Sequence, residues 1–85
     1  MEEHENFDML DQTILHILSL YEDLRLLELW FEIGELGTFG SVKKQDILNR
    51  LYSLLAKGCV DRIDLGNGNI KWSLKRDRVR EKIDP

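Results

Sequence analysis

The stretch ILNRLYSLLAKGCVDRI, residues 47–63, changes its hydrophobic period at a glycine. Before Gly58 the apolar residues recur at the three- and four-residue spacing of a helix, and after it they alternate as in a strand. Glycine adopts a positive φ without a steric penalty and therefore commonly ends helices. The pattern predicts a helix that ends at Gly58 and leads directly into a strand.

The helix before Gly58 is expected to cover residues 42–57, with Ser41 as its candidate N-cap. Its inner face consists of aliphatic residues at helical spacing: Ile47, Leu48, Leu51, Leu54 and Leu55.

The strand after Gly58 is followed by a short hairpin signal, Gly66-Asn67-Gly68-Asn69. Glycine and asparagine tolerate the positive φ that tight turns require. Residues 70–74 then alternate again, and Trp72 among them is expected to pack within the hairpin. This half of the chain is therefore interpreted as helix, strand, turn and strand.

Two more helices are predicted upstream, at residues 7–20 and 24–36, with a break between them and Asp23 as the candidate N-cap of the second. The second is apolar on almost every side. Such a helix is either buried or carries a patch that meets another chain. The predicted fold is mainly α with a small antiparallel β-hairpin, in a single domain over residues 1–85. Residues 1–6 are expected to form a frayed acidic N-terminus, and residues 75–85 a basic C-terminal tail.

Composition favours a soluble cytoplasmic protein. No apolar run reaches the roughly 18 residues that a membrane span needs, and the start lacks the order of a signal peptide. The single cysteine, Cys59, has no partner for an internal disulfide and is expected to be a small buried residue. We expect no metal, no cofactor, no membrane partner and no small-molecule ligand.

Charge is distributed unevenly along the chain, whose net charge is −4. Ten of the 16 acidic residues but only one of the 12 basic residues, Arg25, precede residue 41. A basic second half is a better indication of a polyanionic partner than the total charge. The alternative is that these charges simply form solvated faces.

The pattern of Ile47, Leu51, Leu54, Gly58, Val60 and Arg62, followed by the hairpin signal, resembles that of winged helix-turn-helix domains. The resemblance covers about residues 10–75, and the pattern is similar to the one found in small bacterial and archaeal regulators. One departure is the long turn Gly37-Thr38-Phe39-Gly40-Ser41 between the second and third helices. The resemblance implies three helices and a wing, with the third helix in the major groove of duplex DNA.

The same resemblance implies candidate DNA contacts on the third helix, the wing and the basic tail. Lysine and arginine neutralise phosphates, whereas asparagine and glutamine can pair with adenine. The candidates are Lys43, Lys44, Gln45, Asn49, Arg50, Ser53, Lys71, Lys75, Arg76, Arg78 and Arg80.

Two classes of function remain open, and catalysis is discounted because no catalytic motif is recognisable. The first is a small DNA-binding regulator of transcription, with a homodimer or a larger complex as its assembly. The second is a protein-interaction module, an accessory subunit of a replication complex such as a DNA polymerase holoenzyme, or of a transcription complex. The candidate protein interface for this second class consists of Leu26, Trp30, Phe31 and Phe39.

Overall fold

The computed structural model describes residues 7–75, which form three helices and one three-stranded antiparallel sheet. The elements in chain order are α1 (Met9–Leu20), β1 (Leu24–Arg25), α2 (Leu26–Leu36), α3 (Lys44–Ala56), β2 (Val60–Asp64) and β3 (Ile70–Leu74). The strands lie in the order β1-β3-β2, so that β3 is central. The three helices and the hairpin were predicted, whereas β1 was not. Residues 1–6 and 76–85 lie outside the described residues.

Helix α1 begins with a reciprocal cap. The side chain of Asp8 accepts a hydrogen bond from the backbone N–H of Asp11 at 3.0 Å, and the Asp11 carboxylate accepts one from the N–H of Asp8 at 3.4 Å. These bonds satisfy two of the amides that a helix start leaves without partners. The helix consequently begins at Met9, two residues later than predicted.

The start of α2 differs from the prediction because two of its expected residues form a strand. Leu24 and Arg25 pair with Trp72 and Lys71 of β3, and Arg25 has an extended backbone. Arg25, not Asp23, is therefore the N-cap residue of α2. Its backbone N–H donates to Oε1 of Glu28 at 2.9 Å.

Helix α3 begins at Lys44, and the predicted start at Val42 with Ser41 as the cap is wrong. Lys43 occupies the N-cap position in an extended conformation and makes no side-chain capping bond. The indole N–H of Trp30 donates to the carbonyl oxygen of Val42 at 2.6 Å, which ties this segment to α2. The carbonyl of Val42 is therefore hydrogen-bonded to α2, and Val42 lies before the first turn of α3.

The end of α3 confirms the predicted role of Gly58. Its φ is +79°, its N–H donates to the carbonyl of Leu55, and the N–H of Cys59 donates to the carbonyl of Leu54. This pair of bonds is a Schellman motif, in which a left-handed residue turns the chain out of the helix. The backbone then enters β2 at Val60.

The core lies between the helices and one face of the sheet. Trp72 of β3 is only 2% exposed, and it packs in this shared core and against Tyr52 of α3, not only within the hairpin as expected. Cys59 is half-buried against this core, as is Phe39 of the α2–α3 loop. The remaining core residues are aliphatic: Ile14, Ile17, Leu18, Leu24, Leu29, Ile33, Ile47, Leu51, Leu54 and Val60.

Candidate nucleic-acid interface

The outward side of α3 carries a row of uncharged polar side chains. Because Ile47, Leu51 and Leu54 point into the core, the 3.6-residue period directs Gln45 and Asn49 to the opposite side. Both are exposed, as is Ser53 one turn further on. Nε2 of Gln45 donates to Oδ1 of Asn49 at 3.0 Å, which leaves further donors and acceptors on both amides. We call Gln45, Asn49 and Ser53 the polar row.

The hairpin turn lies beside α3, with a groove of about 420 Å³ between them. Tyr52 stands in this groove, and its ring meets that of Trp72 edge-on, with 5.3 Å between the centroids. The groove is mostly apolar, with Arg25 and Lys44 as its basic residues. Its lining is Arg25, Leu26, Leu27, Lys44, Leu48, Tyr52, Gly68, Asn69, Ile70 and Trp72.

The hairpin turn depends on residues with positive φ and on two backbone hydrogen bonds. Gly66, Asn67 and Gly68 all have positive φ, as the sequence pattern predicted. The N–H of Leu65 donates to the carbonyl of Asn69 at 2.8 Å, and the N–H of Asn69 donates to the carbonyl of Gly66 at 2.9 Å. These bonds hold the conformation of the turn, whose Gly68 and Asn69 line the groove.

Arg50, a candidate DNA contact, is engaged by two aspartates at the start of α1. Its Nη1 forms an ion pair with Asp8 and lies 3.4 Å from Oδ1 of Asp11, a carboxylate that is only 5% exposed. The backbone N–H of Asp11, and then the guanidinium of Arg50, lower the pKa of Asp8 below its ordinary value. Arg50 thus lies on the α1 side of α3 and not in the polar row.

Lys71 of β3 and Lys75, directly after β3, are also paired with carboxylates. Nζ of Lys71 lies 3.3 Å from Oδ1 of Asp23, and Nζ of Lys75 lies 3.2 Å from Oδ1 of Asp61. These four side chains are about one-third exposed, and pairs of this kind contribute only about 0–1 kcal/mol. A phosphate group could therefore compete for either lysine. Lys75 also donates its backbone N–H to the carbonyl of Cys59 at 3.0 Å, one hydrogen bond beyond the paired residues Val60 and Leu74.

The other cations differ in their surroundings. Lys43 is exposed at the N-cap of α3, and Nζ of Lys44 lies 5.2 Å from the centre of the Trp30 ring. Arg76, Arg78 and Arg80 lie outside the described residues. Arg25, in the groove, was not among the predicted contacts, although its position as the sole basic residue before residue 41 could have drawn attention to it.

The four predicted protein-interface residues do not form one exposed cluster. Phe31 is 60% exposed, whereas Leu26, Trp30 and Phe39 are half-buried against the core. Phe31 and Trp30 line a second groove of about 260 Å³ between α2 and the loop that precedes α3. The adjacent aromatic residues of α2 therefore divide, one pointing outward and one inward. Leu27, which was not among the predicted interface residues, is also exposed.

Residues 7–75 contain neither a candidate metal site nor a helix that could span a membrane. This part of the chain has no group of histidine, cysteine or acidic side chains that could hold a metal ion. None of its helices has the length and apolar character to cross a membrane. Comparisons of the chain with protein-family models, characterised proteins and solved structures gave no match.

Proposed function

We propose that the chain is a winged-helix protein that binds duplex DNA, as a small regulator of transcription. In this proposal α3 enters the major groove, and the hairpin of β2 and β3 acts as the wing. The observation that carries it is the exposed polar row of α3, a helix whose Lys44, Leu48 and Tyr52 border the groove next to the hairpin turn.

The arrangement of the elements supports this proposal. The hairpin follows α3 through Gly58 without a linker, and β3 returns between β2 and β1. An α-helix fits the width of the major groove, and a neighbouring turn can reach the backbone beside it. Because a groove separates α3 from the turn, α3 could contact the bases while the turn contacts the DNA backbone.

The chemistry of the two elements also supports it. The amide groups of Gln45 and Asn49 can each donate to and accept from an adenine edge, and Ser53 can do either. Lys43 stands exposed at the start of α3, where it can meet a phosphate. Lys71, Lys75, Arg76, Arg78 and Arg80 would add backbone contacts.

The first test is a fluorescence-anisotropy titration of a duplex of about 20 base pairs at two salt concentrations. Each phosphate neutralised contributes about 0.9 to the slope of log affinity against log salt. With about three phosphate contacts, we expect the affinity to fall about 40-fold between 50 and 200 mM salt. Lys43→Ala should lower the slope by about one.

The polar row is tested in the same assay by Asn49→Ala, which should weaken binding to a preferred sequence by about 10-fold. The matched control is Gln12→Ala, which removes an exposed amide from α1 and should leave affinity unchanged. Failure of the folded wild-type protein to bind any duplex at 50 mM salt would contradict the proposal.

A second candidate is a protein-interaction module that serves as an accessory subunit of a replication or transcription complex. It is favoured by the pairing of Arg50, Lys71 and Lys75 with carboxylates of this same chain, which reduces the charge available to DNA. In this candidate, the polar row and the groove contact a protein. The titration separates the two, because this second function requires no salt-dependent binding of DNA.

A further inference from the structure

The outward side of α2 carries an apolar ridge. Leu27 and Phe31 lie one turn apart and are 57% and 60% exposed, whereas Leu29 and Ile33 of the same helix are buried. Residues four apart share one side of a helix, so the two side chains form a continuous surface. Adjacent large apolar side chains at the surface indicate an interaction site more strongly than scattered ones do. We call Leu27 and Phe31 the α2 ridge.

The two flanks of the α2 ridge have opposite charge. The helical period places Glu28 and Glu32 together along one flank. On the other flank Trp30 lies beneath Nζ of Lys44, at 5.2 Å from the ring centre. Arg25 and Lys44 also line the groove beside Leu27, so this flank is basic.

The ridge also stands beside concave surface. Phe31 borders the groove of about 260 Å³ that Trp30, Gly34 and Val42 help to line. Leu27 borders the groove of about 420 Å³ next to α3. One surface therefore presents projecting apolar side chains, grooves, an acidic edge and a basic edge.

We propose that the α2 ridge is a homodimer interface, and that its partner is a second copy of this chain packed with its α2 parallel to the first. A symmetric interface must complement itself, since both subunits use the same surface. A two-fold axis roughly parallel to α2 places the acidic flank of each copy against the basic flank of the other. A two-fold axis perpendicular to the helices would make them antiparallel and place acid against acid. The charge pattern therefore selects the parallel arrangement.

The dimer is tested first by sedimentation equilibrium over a range of protein concentrations. The wild-type protein should dimerise, and Phe31→Glu should raise the dimer dissociation constant at least about 100-fold, since both copies lose a central aromatic contact. Leu65→Glu is the matched control, because Leu65 is equally exposed but lies at the hairpin turn. Circular dichroism of each variant establishes that it folds.

Charge exchange identifies the flanks. Lys44→Glu and Glu32→Lys should each weaken the dimer, because each places like charges across the interface. Combined in one chain, they should restore it, because every Lys44–Glu32 contact between copies is then reversed. Restoration of this kind is expected of a second copy and not of an unrelated partner.

The parallel arrangement is tested by cysteine cross-linking in a Cys59→Ser background. Leu27→Cys should form a disulfide with the same residue of the second copy, since a parallel dimer brings each ridge residue to its counterpart. Met9→Cys, exposed on α1, should not. The proposal would be overturned if the wild-type protein stayed monomeric up to about 1 mM, because a dissociation constant above that value corresponds to only very weak association. A dimer unaffected by Phe31→Glu and Leu27→Glu would also overturn it, and neither result depends on whether the protein binds DNA.

Discussion

Arg50 shows how the fold can give a residue another partner than its sequence context suggests. In the sequence it stands next to Asn49 and near Ser53, among the candidate DNA contacts. In the structure it lies at the edge of the core, because it follows the buried Ile47 by three residues. There it meets Asp11, a buried carboxylate that would be costly without a charged partner. The two residues are 39 positions apart, so helical periodicity could predict the direction of Arg50 but not its partner.

The cap of α1 leads to a prediction about acid stability. The pKa of Asp8 is lower in the folded protein than the ordinary value of 3.8, because the charged carboxylate accepts a bond from Asp11 and pairs with Arg50. The ionised carboxylate therefore stabilises the fold above about pH 4, and this contribution is lost as pH falls through the lowered pKa. Asp8→Asn keeps a capping side chain but removes the charge, so its stability should fall less between pH 6 and pH 3.

Urea denaturation of both proteins at the two pH values measures this difference. Glu35→Gln, which removes an exposed carboxylate from the last turn of α2, serves as the control and should behave like the wild type. Equal losses of stability in the wild type and Asp8→Asn would show that the cap does not contribute in this way.

At the scale of the elements, long periodic segments were predictable and short or non-local ones were not. The helices and the hairpin each have a hydrophobic period and a turn signal, and Gly58 ends α3 as predicted. Strand β1 has only two residues, too few to show a period, and its apolar Leu24 merges with the apolar run of α2. It exists because β3 lies beside it, which is a property of the tertiary fold.

Two glycines at different positions test these assignments by opposite effects. Gly34 lies within α2, and a Cβ added there meets nothing within 4 Å, so Gly34→Ala should raise the free energy of unfolding by about 0.5–1 kcal/mol. Gly58 has a φ of +79°, where alanine is strained, so Gly58→Ala should lower it by about 1–2 kcal/mol. Chemical denaturation measures both values. A stabilising effect of Gly58→Ala would contradict the Schellman turn at the end of α3.

At the scale of the whole molecule, folding changes the meaning of the uneven charge distribution. The sequence separates an acidic first half from a basic second half. The fold places carboxylates of the first half against cations of the second, as in the pairs of Arg50 with Asp8 and of Lys71 with Asp23. The polar row could be predicted from the period of α3, but this neutralisation could not, since it depends on which elements become neighbours.

The proposal that α3 and the hairpin turn contact DNA is tested most directly by mapping backbone amide chemical shifts as a duplex is added. We expect the largest changes in residues 44–53 and 66–70, with little change in α1 away from its contact with Arg50. Changes confined to the α2 ridge and α1, or no changes at low salt, would contradict it.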